Sequence, residues 1–218
     1  MFLNLCKLSI KSDHLVRSGN FTNSSNLPNF FELYQKNIFI IGFGRIGKAL
    51  SKRCIGFDTK VYVYDPYVES NIIKQHGCTP IHFGEGIKIA DFISIHLPLN
   101  KETKYLITKK EFLQMKKTCI IVNTARGGII KENDLLWALK NNIIHSAGLD
   151  VFEKEPPNIN NPLFKTDNII LSPHSAALTL ECRIRMSIEA CNNIINFFNN
   201  RPNLPLNNIV NRDIVVLK

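Results

Sequence analysis

Three glycines spaced as Gly42-Phe43-Gly44-Arg45-Ile46-Gly47 follow directly on the apolar run Ile38–Ile41. In that pattern the first glycine allows a tight strand-to-helix turn, the second lets backbone approach a pyrophosphate, and the third lets helix and strand pack closely. Phosphate oxygens would then meet the free N–H groups and the positive dipole end of the helix that follows. Eighteen residues past Gly47, Asp65 ends a second apolar run, Val61-Tyr62-Val63-Tyr64. A carboxylate there accepts hydrogen bonds from the adenosine ribose hydroxyls and repels a 2′-phosphate, so the pattern implies NAD rather than NADP.

Three further side chains stand where open α/β sheets bind ligands, just past the ends of apolar runs. Arg126 follows Cys119–Asn123 in Asn123-Thr124-Ala125-Arg126-Gly127-Gly128. Glu155 lies in Asp150-Val151-Phe152-Glu153-Lys154-Glu155-Pro156-Pro157, and His174 in Leu171-Ser172-Pro173-His174-Ser175-Ala176. Hydride transfer between NAD and a 2-hydroxy acid needs one group to move the hydroxyl proton and another to hold the carboxylate. Histidine titrates near neutrality and suits the proton. Arginine has a planar fork of donors and suits the carboxylate. A glutamate hydrogen-bonded to the imidazole would fix its tautomer and favour its protonated form. Taken singly, Arg126 also reads as a helix-entry residue, Glu155 as a loop carboxylate and His174 as a core histidine. His14, His76, His82 and His145 read as structural or surface residues, whereas His96 ends a run that should face the cofactor.

The elements that must position these groups follow from the alternation of short β-branched runs with helix-like stretches after Asn37. That alternation predicts an α/β fold with a doubly wound parallel sheet buried on both faces. Strands are expected at Ile38–Ile41, Val61–Tyr64, near Ile81, Phe92–Ile95, Cys119–Asn123, His145–Leu149 and Ile169–Leu171. Helices are expected at Arg45–Cys54, Glu69–Gln75, Lys109–Met115, Asn133–Lys140 and, as one long helix closed off before Pro202, Leu178–Phe198. The stretch from Ser18 to Asn29 is rich in turn formers and reads as a connector.

Composition narrows the class. The chain has 218 residues, 44% hydrophobic and 21% charged, which describes a globular protein. No apolar run approaches the roughly 18 residues of a membrane span, and no signal-peptide core is visible, so a cytoplasmic protein without a membrane partner is expected. Six cysteines without a C-x-x-C pair read as reduced, mostly structural thiols, with no metal site. The net charge of +9 is spread along the chain, and solvated helix faces explain it better than a nucleic-acid partner.

Taken together the motifs resemble the NAD-dependent D-isomer-specific 2-hydroxyacid dehydrogenases, in particular the D-3-phosphoglycerate dehydrogenase and glyoxylate/hydroxypyruvate reductase branch. The resemblance rests, in order, on Ile41–Gly47, Tyr64-Asp65-Pro66-Tyr67, Ala90-Asp91-Phe92, His96-Leu97-Pro98-Leu99, Glu102-Thr103, Asn123–Gly128, Gly148–Phe152 and Ser172-Pro173-His174, and it runs from about Leu15 to Asn211. It implies that Arg126, Glu155 and His174 are the catalytic arginine, glutamate and histidine. By the same matching Gly42, Gly44 and Gly47 form the nucleotide turn, Arg45 and Ile46 lend N–H groups to the pyrophosphate, and Asp65 holds the ribose. Thr124 and Asp150 approach the nicotinamide end, Ser175 and Ala177 close over it, and His96, Pro98, Thr103 and Ala125 join the cofactor contacts. A small 2-hydroxy or 2-keto acid substrate and a homodimer are implied as well.

One departure from the pattern is large. Family members carry most of a smaller substrate domain ahead of the connector, where here only Met1–His14 stand. The expected division is therefore 1–14 as a remnant of that domain, 15–177 as the NAD-binding domain with its connector, and 178–218 as a helix and tail returning towards the substrate domain. Phe21 also stands where the family often has Trp. Two functions follow as expectations: a dehydrogenase, feeble as this chain alone, or a truncated, catalytically weak NAD(H)-binding module with a regulatory or assembly role.

Overall fold

Apolar side chains fill the central strands of the sheet, where four of the seven strands are buried almost throughout. The computed structural model describes residues 1–21 and 29–199, in two compact units, Met1–His174 and Ser175–Lys218. In the first unit the strands are β1 (Asn37–Ile41), β2 (Lys60–Tyr64), β3 (Thr79–Pro80), β4 (Phe92–Ile95), β5 (Ile120–Asn123), β6 (Ser146–Leu149) and β7 (Ile169–Leu171). They form one parallel sheet in the order β3-β2-β1-β4-β5-β6-β7. Its helices are α1 (Phe2–Cys6), α2 (Ser9–Arg17), α3 (Arg45–Ile55), α4 (Ser70–Gln75), α5 (Phe83–Ile89), α6 (Lys109–Phe112) and α7 (Glu132–Lys140), with a short 3-10 helix at Pro162–Lys165.

Side-chain alternation along the strands builds two cores. Ile38 and Ile40 of β1, Phe92 of β4, and Ile120 and Val122 of β5 pack on one face. Phe39, Ile41, Ile93, Ile95 and Ile121 pack on the other. Each such side chain withdrawn from water contributes about 1.5–3 kcal/mol, and the two cores make the sheet a rigid platform for the loops at its carboxyl edge. The order in which strands are added reverses between the parallel neighbours β1 and β4, the place where sheets of this kind leave a crevice between diverging loops.

Most expected elements are present with shifted ends. The strand near Ile81 lies at Thr79–Pro80, those begun at Cys119 and His145 start one residue later, and the helix from Lys109 stops at Phe112. In the second unit the long helix, α8, runs Leu180–Phe198, because the Thr179 side chain accepts the Cys182 N–H at 3.1 Å and caps it. Residues 22–28 of the connector and Pro202 lie outside the described residues.

Three helices, α1, α2 and α5, were not expected. The two glycines of α5 lower its helix propensity, yet a Cβ on Gly86 would lie 2.4 Å from the Phe39 ring, so its absence is what lets the helix lie on the core. Met1–Cys6 pack on the sheet. Leu5 and Cys6 are buried in the same cluster as Ile38, Val61 and Val122, Phe2 meets Phe92 edge-on at 5.2 Å, and the Phe31 N–H donates to the Cys6 carbonyl. The reason is that α1 presents apolar groups to a sheet face that would otherwise be open. Among the described residues no helix is long and apolar enough to cross a membrane.

Candidate active site

The glycine turn is shaped by close backbone approach. Gly42 has φ +97°, a region closed to most side chains, and a Cβ there would lie 2.5 Å from the His96 carbonyl oxygen. A Cβ on Gly47 would lie 2.2 Å from the Gly42 oxygen, which enforces tight packing of α3 on β1. Gly44 differs: it occupies the N-cap of α3, no side chain caps that helix end, and a Cβ there would meet no protein atom within 4 Å. A helix start without a side-chain cap, open space at Gly44 and exposed Arg45 and Ile46 beside it fit a pyrophosphate.

Asp65, at the end of β2, accepts the Phe43 N–H at 2.7 Å on one carboxylate oxygen and the Tyr67 N–H at 2.9 Å on the other. It thus clasps the glycine turn, and the lone pairs left on both oxygens suit ribose hydroxyls. After β4, the Thr103 hydroxyl donates to the Pro98 carbonyl at 2.7 Å and accepts the Asn100 N–H at 2.8 Å, which folds that loop on itself. The Tyr67 hydroxyl donates to Glu102 at 3.0 Å and ties this loop to the one after β2.

His96 turns its ring back along β4, where Nε2 lies 2.9 Å from the Ser94 hydroxyl. Burial disfavours the charged form and pushes the imidazole down from 6.5 to about 4. Between those values the unfolded chain holds a proton that the folded one does not, so stability falls as pH drops through that window, by up to about 1.4 kcal/mol per unit. Urea unfolding at pH 7 and pH 5 should show a smaller acid loss for His96→Gln than for the parent; equal losses would place the acid sensitivity elsewhere.

At the end of β5, the buried Asn123 side chain accepts the Ala125 N–H at 3.0 Å and donates to the Arg126 carbonyl at 2.8 Å. Thr124 and Ala125 are half-buried within this braced turn, and the exposed Arg126 guanidinium donates to the Ala125 carbonyl at 2.6 Å. Gly127 is where this loop meets the one carrying Glu155: a Cβ on it would lie 1.7 Å from the Phe152 carbonyl oxygen.

Glu155 and His174 are brought together directly. The His174 Nδ1 lies 2.7 Å from the Glu155 Oε2, and the Phe152 N–H donates to Oε1 at 3.0 Å. Burial would raise the Glu155 carboxyl, but the hydrogen bonds from His174 and Phe152 outweigh it and hold the group below its ordinary value. An ionised carboxylate only accepts, so Nδ1 carries the hydrogen and Nε2 is the atom that takes up or releases a proton. His174 adopts φ +51°, and its N–H donates to the Asp150 carbonyl at 2.8 Å. Asp150 is fully buried at the end of β6, where its carboxylate accepts the Ser172 hydroxyl. Phe152, Phe164, Leu171, Pro156 and Pro173 line an apolar cavity of about 440 Å³ against the pair.

The structure therefore joins Glu155 to His174 and sets Arg126 on the adjoining loop, hydrogen-bonded to Ala125 and not to the pair. Ser175 and Ala177 belong to the second unit, where the Ser175 carbonyl accepts the Leu178 N–H. Residue-type reasoning missed Asn123, Gly127 and Ser172. An asparagine closing a strand ahead of a turn was the one signal available for them, since such side chains commonly bond the backbone of the turn that follows.

A family model described as "D-isomer specific 2-hydroxyacid dehydrogenase, NAD binding domain" matches residues 1–176. Among curated relatives, a glyoxylate reductase of Thermococcus litoralis is 38% identical over 220 residues, covering 99% of this chain and 65% of the relative. A D-3-phosphoglycerate dehydrogenase of Archaeoglobus fulgidus is 37% identical over 201 residues, covering 92% of this chain and 37% of the relative. Among solved structures, D-lactate dehydrogenase from Aquifex aeolicus complexed with NAD and lactic acid superposes with a TM-score of 0.83 at 28% identity, covering 96% of this chain and 67% of that one. The chain thus spans less than two thirds of the length of both curated relatives.

Proposed function

Because the chain belongs to the D-isomer-specific 2-hydroxyacid dehydrogenase family, matching its NAD-binding domain, we propose that it binds NAD(H) and carries the acid–base machinery for interconverting a 2-hydroxy acid and its 2-keto acid. The observation that carries this reading is the Glu155–His174 hydrogen bond, held on the same sheet edge as an intact glycine turn. The substrate class takes in acids such as glyoxylate, hydroxypyruvate or 3-phosphoglycerate. On the family resemblance, the working unit is a cytoplasmic homodimer.

The residues divide the work as follows. Uncapped N–H groups at the start of α3 hold the pyrophosphate, and Asp65 holds the ribose. Arg126 binds the substrate carboxylate through its guanidinium fork. In reduction, protonated His174 gives the Nε2 proton to the carbonyl oxygen as it becomes a hydroxyl; in oxidation, neutral His174 takes that proton back. Glu155 accepts the hydrogen of Nδ1 and so fixes the tautomer that leaves Nε2 for proton transfer. Bound NAD(H) supplies or accepts the hydride.

Titration of the chain with NADH, followed by nicotinamide fluorescence, should saturate, and NADPH should bind more weakly because Asp65 opposes the 2′-phosphate. Gly44→Ala should lose NADH affinity while keeping its unfolding midpoint close to that of the parent, because the new methyl meets only the space reserved for phosphate. Absence of saturable binding at millimolar NADH would sink the reading.

A further inference from the structure

Glu155 is exposed and sits in a loop, and its bond to His174 joins two exposed side chains. Contacts of that kind contribute about 0–1 kcal/mol and do not hold a loop in place by themselves. The Phe152 N–H also donates to this carboxylate, but Phe152 belongs to the same loop, so the loop itself must be anchored elsewhere.

The neighbouring residue Glu153 provides that anchor. Its Oε1 accepts the Glu132 N–H at 2.7 Å, and in return the Glu132 Oε1 accepts the Glu153 N–H. Glu132 is the first residue of α7, whose N-cap, Lys131, offers no side-chain acceptor. Glu153 therefore caps this helix from 21 residues away, and both carboxylates lie at the positive end of its dipole, which favours negative charge. The free oxygens are used as well. Tyr105 donates its hydroxyl to the Glu153 Oε2 at 3.2 Å, and the Asn161 amide donates to the Glu132 Oε2 at 3.1 Å. Tyr105 is held at φ +54°, an unfavourable conformation for an aromatic residue, and its N–H donates to the Gly128 carbonyl at 2.7 Å. The arrangement thus links the Arg126–Gly128 turn, the start of α7 and the Glu155 loop.

From this we infer that Glu153, with Glu132 and Tyr105, forms a reciprocal carboxylate lock that positions Glu155 against His174. These are positioning residues: they reach the reacting atoms only through Glu155. The inference rests on the dehydrogenase reading for what the Glu155–His174 pair does, and its test is arranged so that the two fail separately.

The test follows the side-chain carboxyl of Glu155 by ¹³C NMR titration in the full chain without cofactor or substrate, assigned with Glu155→Gln. His174 and Asp150 are the titratable groups that act on it. In Glu153→Ala the Glu155 midpoint should rise from its depressed position towards the ordinary carboxylate value. Glu153→Gln should restore much of that loss, because its amide oxygen still accepts the Glu132 N–H. Tyr105→Phe should shift the midpoint the same way by less, and it keeps the test available should Glu153→Ala not fold. NADH affinity should stay within about twofold of the parent in all three, and keto-acid reduction by Glu153→Ala should fall, by up to about 10²-fold for a misplaced catalytic group. An unmoved Glu155 midpoint in both Glu153→Ala and Tyr105→Phe, or a loss of NADH affinity in step with it, overturns the inference. Failure of the parent to bind NADH would instead overturn the functional reading while leaving the titration informative.

Discussion

A Gly127→Ala variant is expected to lose its catalytic geometry although the backbone conformation of residue 127 admits alanine. The added carbon would lie 1.7 Å from the Phe152 carbonyl oxygen, 2.1 Å from its carbon and 2.8 Å from the Glu153 nitrogen. All three are backbone atoms, so no rotamer change relieves the clash, and either the Arg126 loop or the Glu155 loop must move by more than an ångström. Overpacking of this kind typically costs about 1–3 kcal/mol, and displacement of catalytic groups by about 1 Å can cost about 10²-fold in rate. Unfolding midpoints, keto-acid reduction and NADH titration separate these effects. Stability and rate should fall, while NADH affinity should fall less, because the glycine turn lies on the opposite side of the strand reversal. A parent-like rate would show that the two loops are not held together at this contact.

His174→Ala is expected to lower keto-acid reduction by about 10²- to 10⁴-fold, the range that general acid catalysis contributes. Removing the imidazole leaves Glu155 without its Nδ1–H partner, so the Glu155 carboxyl should also rise towards its ordinary value. NADH affinity should change little by comparison, because the pyrophosphate and ribose groups lie on α3 and β2. Equal losses in rate and in NADH affinity would contradict the role as proton donor and make His174 a cofactor contact instead.

Much of this architecture was legible as residue pattern. Short apolar runs, many of them β-branched, located the central strands because a parallel sheet covered on both faces requires them, and the glycine spacing located α3 because the turn tolerates little else. The elements that escaped did so for physical reasons. α5 carries two glycines, which lower its helix propensity, and only the packing shows Phe39 filling the space beneath Gly86. α1 is only five residues long, too short to show a helical period, and only its packing puts Leu5 and Cys6 in a core cluster.

The site divides in the same way. Arg126, Glu155 and His174 could be named from residue type and their position after strands, since histidine chemistry and arginine geometry are local properties. What the chain order alone determined was the parallel sheet, the glycine turn and the candidates proposed for the acid–base chemistry, all written in short-range spacing. Only the tertiary structure decided how they are held: the Asp65 clasp on Phe43, the contact at Gly127 and the exchange of N–H groups between Glu132 and Glu153. Those contacts join residues up to about 25 positions apart, set by how strands and loops stack and not by local periodicity, and hydrogen bonds at that separation leave no repeat in the sequence to read.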